Sequence, residues 1–140
     1  MARQINQDID FVIDGKPLNF ADTVTYRGMM FTGVPNMVWV MGYFRASWTL
    51  RVDMMGDFVC KLLNHMDARG YTTCVPRRRD PSVKEQPLLD FSSGYVQRAI
   101  DRFPRQGSIA PWKLHQNYAF DMMLLRHSPI EDGTMEFSKA

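Results

Sequence analysis

The side chains best equipped for chemistry in this chain are scattered. His65, His115 and His127 stand on separate segments, and none has a cysteine, an acid or a second histidine at a metal-ligand offset. They read as structural or surface histidines. Asp53 and Asp57 are four apart and would share a helical face, as an acid/base pair requires. Arg51 and Lys61 beside them favour a solvated, charge-balanced face instead. The run Arg77-Arg78-Arg79, with Lys84 close behind, carries the charge to contact phosphates, but Asp80 and Glu85 dilute it and no aromatic platform is interleaved. An exposed linker accounts for it, and no nucleic-acid partner is expected. The chain has no GxSxG elbow, HExxH pair, GxxxxGK[ST] loop, CxxC motif or GxGxxG fingerprint. What remains is MVWVMGYFRASWTL, residues 37–50, where a buried-looking run passes through Gly42 into an aromatic loop and opens a helix at Ser47. Ligands gather where strand ends meet helix starts, because free amides and the helix dipole favour a negative or carbonyl-rich group. Tyr43, Phe44 and Trp48 would add flat surfaces. By pattern alone, a plain connection explains the turn as well as ligand contact does.

Such a loop needs elements on both sides. The continuous apolar character of Met37–Gly42 suits a core strand covered on both faces. After it, Trp48, Val52, Met55, Val59, Leu62 and Met66 recur at spacings of three and four, which predicts a long helix over 47–69. Ser47 is its expected cap, and Arg69 before Gly70 its basic, left-handed end. Leu50, Met54 and Phe58 form a second stripe, so the helix asks for cover on more than one side. Upstream, Phe11–Ile13 closes on the turn signal Asp14-Gly15, and Thr23–Met30 reads as a strand. Downstream, Tyr71–Val75 reads as a strand. The stretch PRRRDPSVKEQP reads as a connector, and Gly94–Phe103 as a short helix ended by Pro104. Residues 121–126 and 134–137 around SPIEDG suggest a terminal hairpin.

With 45% hydrophobic and 23% charged residues, the 140-residue composition is that of a globular chain. A net charge of +2, from 17 basic and 15 acidic side chains, implies no strong steering toward polyanions. The longest apolar run, residues 37–44, is far below the about 18 residues needed to span a bilayer, and no membrane span is expected. Cys60 and Cys74 lack metal spacing and are expected reduced, which points to a cytoplasmic location. The eleven methionines read as core filler.

The run YRGMMFTGVPNMVWVMGYFRASWTLRVDMMGDFVCKLLNHMDARGY resembles the end of the FAD-binding domain in flavin-containing Baeyer–Villiger monooxygenases. It is most similar to the actinobacterial type that includes the ethionamide-activating enzyme. PLLDFSSGYVQRAIDRFPRQGSIAPWKLHQNY and the terminal DMMLLRH resemble that group's C-terminal tail. Several segments agree in order and spacing over about residues 11–140. The resemblance implies an α/β fragment: a few strands and one long helix from the end of an FAD-binding Rossmann-like domain (1–70), then an irregular tail with a short helix and a hairpin (71–140). It implies enzymes that use FAD and NADPH to insert one oxygen atom beside a ketone or onto sulfur. Carried onto this chain, the family pattern puts Gly42, Tyr43, Ala46, Ser47, Trp48 and Thr49 at the flavin.

The departures are as informative. The family's FAD and NADPH glycine fingerprints, its FxGxxxHxxxW signature and its active-site arginine have no counterpart here. Little in the chain can hold the adenosine and pyrophosphate that anchor FAD in a Rossmann site. The expectation is therefore one wall of a monooxygenase site, inactive and without bound cofactor by itself. A different class of reading stands beside it: a non-catalytic interaction module that docks or self-associates through the long helix and the core strand.

Overall fold

A computed structural model describes residues 9–89 and 102–140. It shows a small α/β chain with one long helix, short two-stranded ladders, a short C-terminal helix and a final strand. Strands β1 (Val12–Ile13) and β2 (Lys16–Pro17) form a hairpin on Asp14 and Gly15, both at positive φ, which is the two-residue turn that the Asp-Gly pair favours.

The Thr23–Met30 segment is not one strand. It folds back at Arg27 and Gly28, both in the left-handed region, so that β3 (Thr25–Tyr26) pairs antiparallel with β4 (Met30–Phe31). A Cβ on Gly28 would lie 2.5 Å from the Leu114 side chain and 2.7 Å from Arg51, so the tight turn also answers to packing.

The Met37–Gly42 run is also not a ladder strand. Its one described backbone bond outside the loop is Trp39 N–H to the Met29 carbonyl, and Val40 is 48% exposed. A strand needs a run of paired backbone groups along its edges, and among the described residues this run forms no ladder with any strand.

Helix α1 (Trp48–Arg69) runs 22 residues, about 33 Å, and ends on Gly70 in the left-handed conformation, with Tyr71 N–H bonded to the Met66 carbonyl. Its start departs from expectation: the Ser47 hydroxyl makes no capping bond and meets the Thr49 hydroxyl at 2.9 Å. The buried face is Arg51, Met54, Met55, Phe58, Leu62 and Met66. That is a single stripe at helical spacing, rotated from the Trp48–Val52–Val59 line. Trp48, Leu50 and Leu63 face outward.

Strand β5 (Thr73–Pro76) lies where a strand was expected, and its partner is β8 (Met135–Ser138), antiparallel. The terminal hairpin is thereby overturned. Residues 118–127 are helical instead: α2 (Tyr118–Asp121), capped by the Asn117 side chain on Phe120 N–H, continues through a wider π-type turn, Met122–His127. The apolar positions Met122, Leu124 and Leu125 satisfy a helix against α1, whereas strand 135–138 finds its edge on β5. Between them β6 (Glu85–Pro87) pairs with β7 (Arg105–Gly107). Most of the helix expected over Gly94–Phe103 lies outside the described residues.

One core joins these pieces. Tyr26, Met29, Met30, Met54, Met55, Phe58 and Leu62 pack with Cys74, Trp112, Leu125 and Met135. A smaller cluster of Phe20, Phe31 and Val34 sits under Trp39. Six of the methionines, Met29, Met30, Met54, Met55, Met66 and Met135, are buried in the main cluster, where an unbranched, polarizable side chain fills uneven gaps.

Candidate functional site

The loop between Gly42 and α1 opens onto a cleft of about 400 Å³ lined by Tyr43, Phe44, Arg45, Ala46, Leu88, Leu89, Gln106, Leu114 and Gln116. Of the residues singled out from sequence, Tyr43, Phe44 and Ala46 line this cleft. Gly42 lies beneath it against the Trp48 indole: a Cβ there would come within 2.4 Å of the ring and 2.8 Å of the Trp48 Cα. Glycine at 42 is thus required by close approach. Ser47, Trp48 and Thr49 are exposed beside the cleft rather than in it.

Behind the loop lies a network that sequence reading missed. Arg51 and Asp121 are each 1% exposed and meet through Arg51 Nε and Asp121 Oδ2 at 3.1 Å. The Tyr43 hydroxyl donates to the same oxygen at 2.7 Å. Arg51 spends its other N–H groups on the carbonyls of Met41 (2.7 Å), Arg27 (2.9 Å) and Gly28 (3.4 Å). Far from joining a solvated face with Asp53, Arg51 is a buried cation whose donors are nearly all used. Burial pushes the Tyr43 pKa above its ordinary value, and the hydrogen bond to Asp121 pushes the same way. The legible signal was positional: Arg51 stands three and four residues before Met54 and Met55, on the stripe that had to be buried, and a buried charge needs a partner.

A second set repeats the pattern. Arg27, also buried, donates from Nε to the Tyr26 hydroxyl (2.8 Å) and from Nη2 to Asp132 Oδ2 (3.0 Å), with the Leu124 carbonyl as a further acceptor. Tyr26 donates to Asp132 at 2.6 Å. Burial raises the Tyr26 pKa; the charge of Arg27 opposes it and that of Asp132 adds to it. For Asp132, burial pushes upward but is outweighed by hydrogen bonds from Thr134, Tyr26 and Arg27, so its carboxyl sits below the usual range. Both sets bind the first half of the chain to residues 121–132.

The remaining candidates have structural or surface roles. His65 lies against Phe137 and Tyr71, with Nε2 3.1 Å from Glu131. His115 packs its ring 3.8 Å from Phe120, and burial, helped by Lys113, holds its pKa below the ordinary value. Asp57 pairs with Arg126 at 2.6 Å. Arg77 and Arg79 share Glu136, and Arg78 meets Glu85 at 2.6 Å, so each arginine of the run is paired within its own chain. Among the described residues no cluster of His, Cys, Asp and Glu could hold a metal ion, and no helix is long and apolar enough to cross a membrane. Cys60 is exposed and Cys74 buried, both as free thiols.

The cleft offers the Tyr43 and Phe44 rings from one loop, Leu88, Leu89 and Leu114 opposite, and the uncapped start of α1 nearby, while Gln106 is bonded to Pro87, Leu88 and Leu114 and the Gln116 oxygen accepts from Phe44 N–H. That combination fits the ring end of a flavin: faces for stacking, and amides for a carbonyl-bearing edge. It does not fit the dinucleotide end, for which the chain has no glycine-rich turn.

Comparison with known proteins finds relatives among flavin-containing monooxygenases. The chain is 46% identical over 127 residues to the FAD-containing monooxygenase EthA of Mycobacterium tuberculosis, covering 91% of this chain and 26% of that protein. It is 40% identical over 137 residues to the probable FAD-binding monooxygenase AlmA of Acinetobacter baylyi, covering 97% and 28%. The putative FAD-containing monooxygenase MymA of M. tuberculosis is 38% identical over 130 residues, covering 92% and 26%. The chain thus spans about a quarter of the length of these relatives, and it matches their C-terminal part. No family model and no solved structure matches it.

Proposed function

We propose, from the chain's homology to the C-terminal quarter of the FAD-containing monooxygenases, that it supplies one wall of a flavin monooxygenase site in the cytoplasm. The observation that carries this is the cleft built by the very loop that the family pattern puts at the flavin. In this reading Gly42, Tyr43, Ala46, Ser47, Trp48 and Thr49 border the ring, and the chain's first 70 residues close a Rossmann-like domain of which 71–140 is the extension. FAD, when bound, supplies the redox chemistry, with NADPH as reductant and a ketone or a sulfur compound as acceptor of one oxygen atom. This chain's own residues do less. The loop backbone and the first amides of α1 orient the ring's polar edge. Tyr43 and Phe44 shield its face from water, and Leu88, Leu89 and Leu114 keep the far side of the cleft apolar.

Without a turn for the pyrophosphate, the isolated chain retains no FAD and does not oxidise NADPH. Purification with visible absorbance and a ketone-dependent NADPH assay tests this; a stoichiometric yellow flavin with turnover overturns it. Photolabelling with an azido-flavin should mark peptide 43–49. Labelling confined to other peptides would remove the assignment of the wall.

Val40, Trp48, Leu50 and Leu63, all exposed, favour a second reading in which the long helix and the 37–42 run dock on a separate protein or a second copy. A strictly monomeric chain that binds no hydrophobic dye excludes it.

A further inference from the structure

We propose, on the basis of the flavin-wall reading above, that Asp121 is a positioning residue for the cleft: from α2 it holds loop 41–44 in place through Tyr43 and Arg51. The loop has no ladder of its own, so side chains must fix its course. It is held at three points by groups outside it. The Met41 carbonyl accepts from Arg51 at 2.7 Å, the Tyr43 hydroxyl donates to Asp121 at 2.7 Å, and the Phe44 N–H donates to Gln116 Oε1 at 2.9 Å. Asp121 stands at the centre, because a single oxygen, Oδ2, receives both Tyr43 and the Arg51 Nε that orients the guanidinium on Met41.

Arg51 and Asp121 are almost wholly enclosed, where hydrogen bonds to a charged acceptor are strong and misplacement is costly. Tyr43 carries the constraint outward. Its hydroxyl is buried in the network while the residue lines the cleft with Phe44, Arg45 and Ala46. Gly42, between two of the anchored positions, touches the Trp48 ring, so a shift of the loop moves the indole as well. The tail of the chain thereby shapes the surface offered to the flavin, although Asp121 does not itself line the cleft.

The sharpest variant is Tyr43→Phe, which removes one hydrogen bond and leaves the Arg51–Asp121 pair intact. Amide exchange and the Trp48 indole resonance, read by NMR on the full chain, report the loop, and fluorescence titration with FMN reports the cleft. Tyr43→Phe should speed exchange of the Phe44 amide about tenfold, the order expected for one lost charge-assisted bond. It should also shift the Trp48 indole and weaken FMN binding by a similar factor, with Phe58 exchange in mid-helix unchanged. Asp121→Asn, which keeps the volume and removes the charge, should move the same signals further. The proposal is overturned if Tyr43→Phe leaves Phe44 and Trp48 unmoved. It is equally overturned if Phe58 exchange rises as much, since that marks a general loss of stability, or if both forms bind FMN equally well. Should the unaltered chain bind no FMN while Tyr43→Phe still frees the loop, the positioning role holds and the flavin-wall reading falls.

Discussion

At the scale of single residues, two buried arginines distinguish this chain. Each shares a carboxylate with a tyrosine hydroxyl, and each ties residues before 52 to residues after 120. Arg51→Met should therefore destabilise sharply, by about 3–5 kcal/mol, because Asp121 is left charged in an enclosed site. Urea unfolding followed by circular dichroism measures this, and a loss below about 1 kcal/mol would contradict it. The tyrosines set an alkaline limit. Their folded pKa values are raised, so the stability they contribute is complete below the unfolded value of about 10 and is lost as pH rises beyond it. Thermal melts at rising pH should show that decline, shallower in Tyr43→Phe. Asp132 has the opposite sign: its folded pKa is lowered, so its contribution is present above about pH 4 and lost as pH falls through the folded value. Asp132→Asn should flatten the acid limb of the stability curve.

At the scale of elements, the long helix was legible and its orientation only partly so. Its span, its glycine stop and the apolar positions 55, 62 and 66 follow from period and composition. Which parts of the two adjacent stripes would be buried depended on what lies opposite: the packed face takes Met55, Leu62 and Met66 from one and Met54 and Phe58 from the other, with Arg51 between them. Strand assignments failed where pairing was at issue. Thr23–Met30 has strand composition throughout, yet the Arg27-Gly28 turn halves it. Met37–Gly42 has the most strand-like run of all and no described ladder. The Gly42–Trp48 contact belongs at this scale too. Gly42→Ala should displace the start of α1 and cost about 1–3 kcal/mol, since the listener to the new methyl is partly backbone and cannot swing away. A melting temperature equal to that of the unaltered chain would show that the loop accommodates it.

At the scale of the whole molecule, the uneven cover of α1 is the dominant feature. One side is packed against β3, β4 and the tail, while Trp48, 48% exposed in the first turn, and Leu63, 54% exposed toward the far end, stand off the packed stripe. Each Å² of such surface taken from water contributes about 25 cal/mol, so a pair of these side chains is enough to drive weak association. Sedimentation velocity should show concentration-dependent self-association, reduced by Leu63→Glu, and a monomer at all concentrations would refute it. What the sequence determined by itself is local: the long helix and its glycine stop, the Asp14-Gly15 turn, a strand within 71–76 and a likeness to the C-terminal part of flavin monooxygenases. These rest on residue period, turn chemistry and ordered motifs, all of which are carried by neighbours along the chain. The partner of strand 135–138, the burial of Arg51 and the joining of Tyr43 to Asp121 were decided by tertiary structure alone. Charges 70 residues apart acquire meaning only when folding encloses both and water can no longer solvate either.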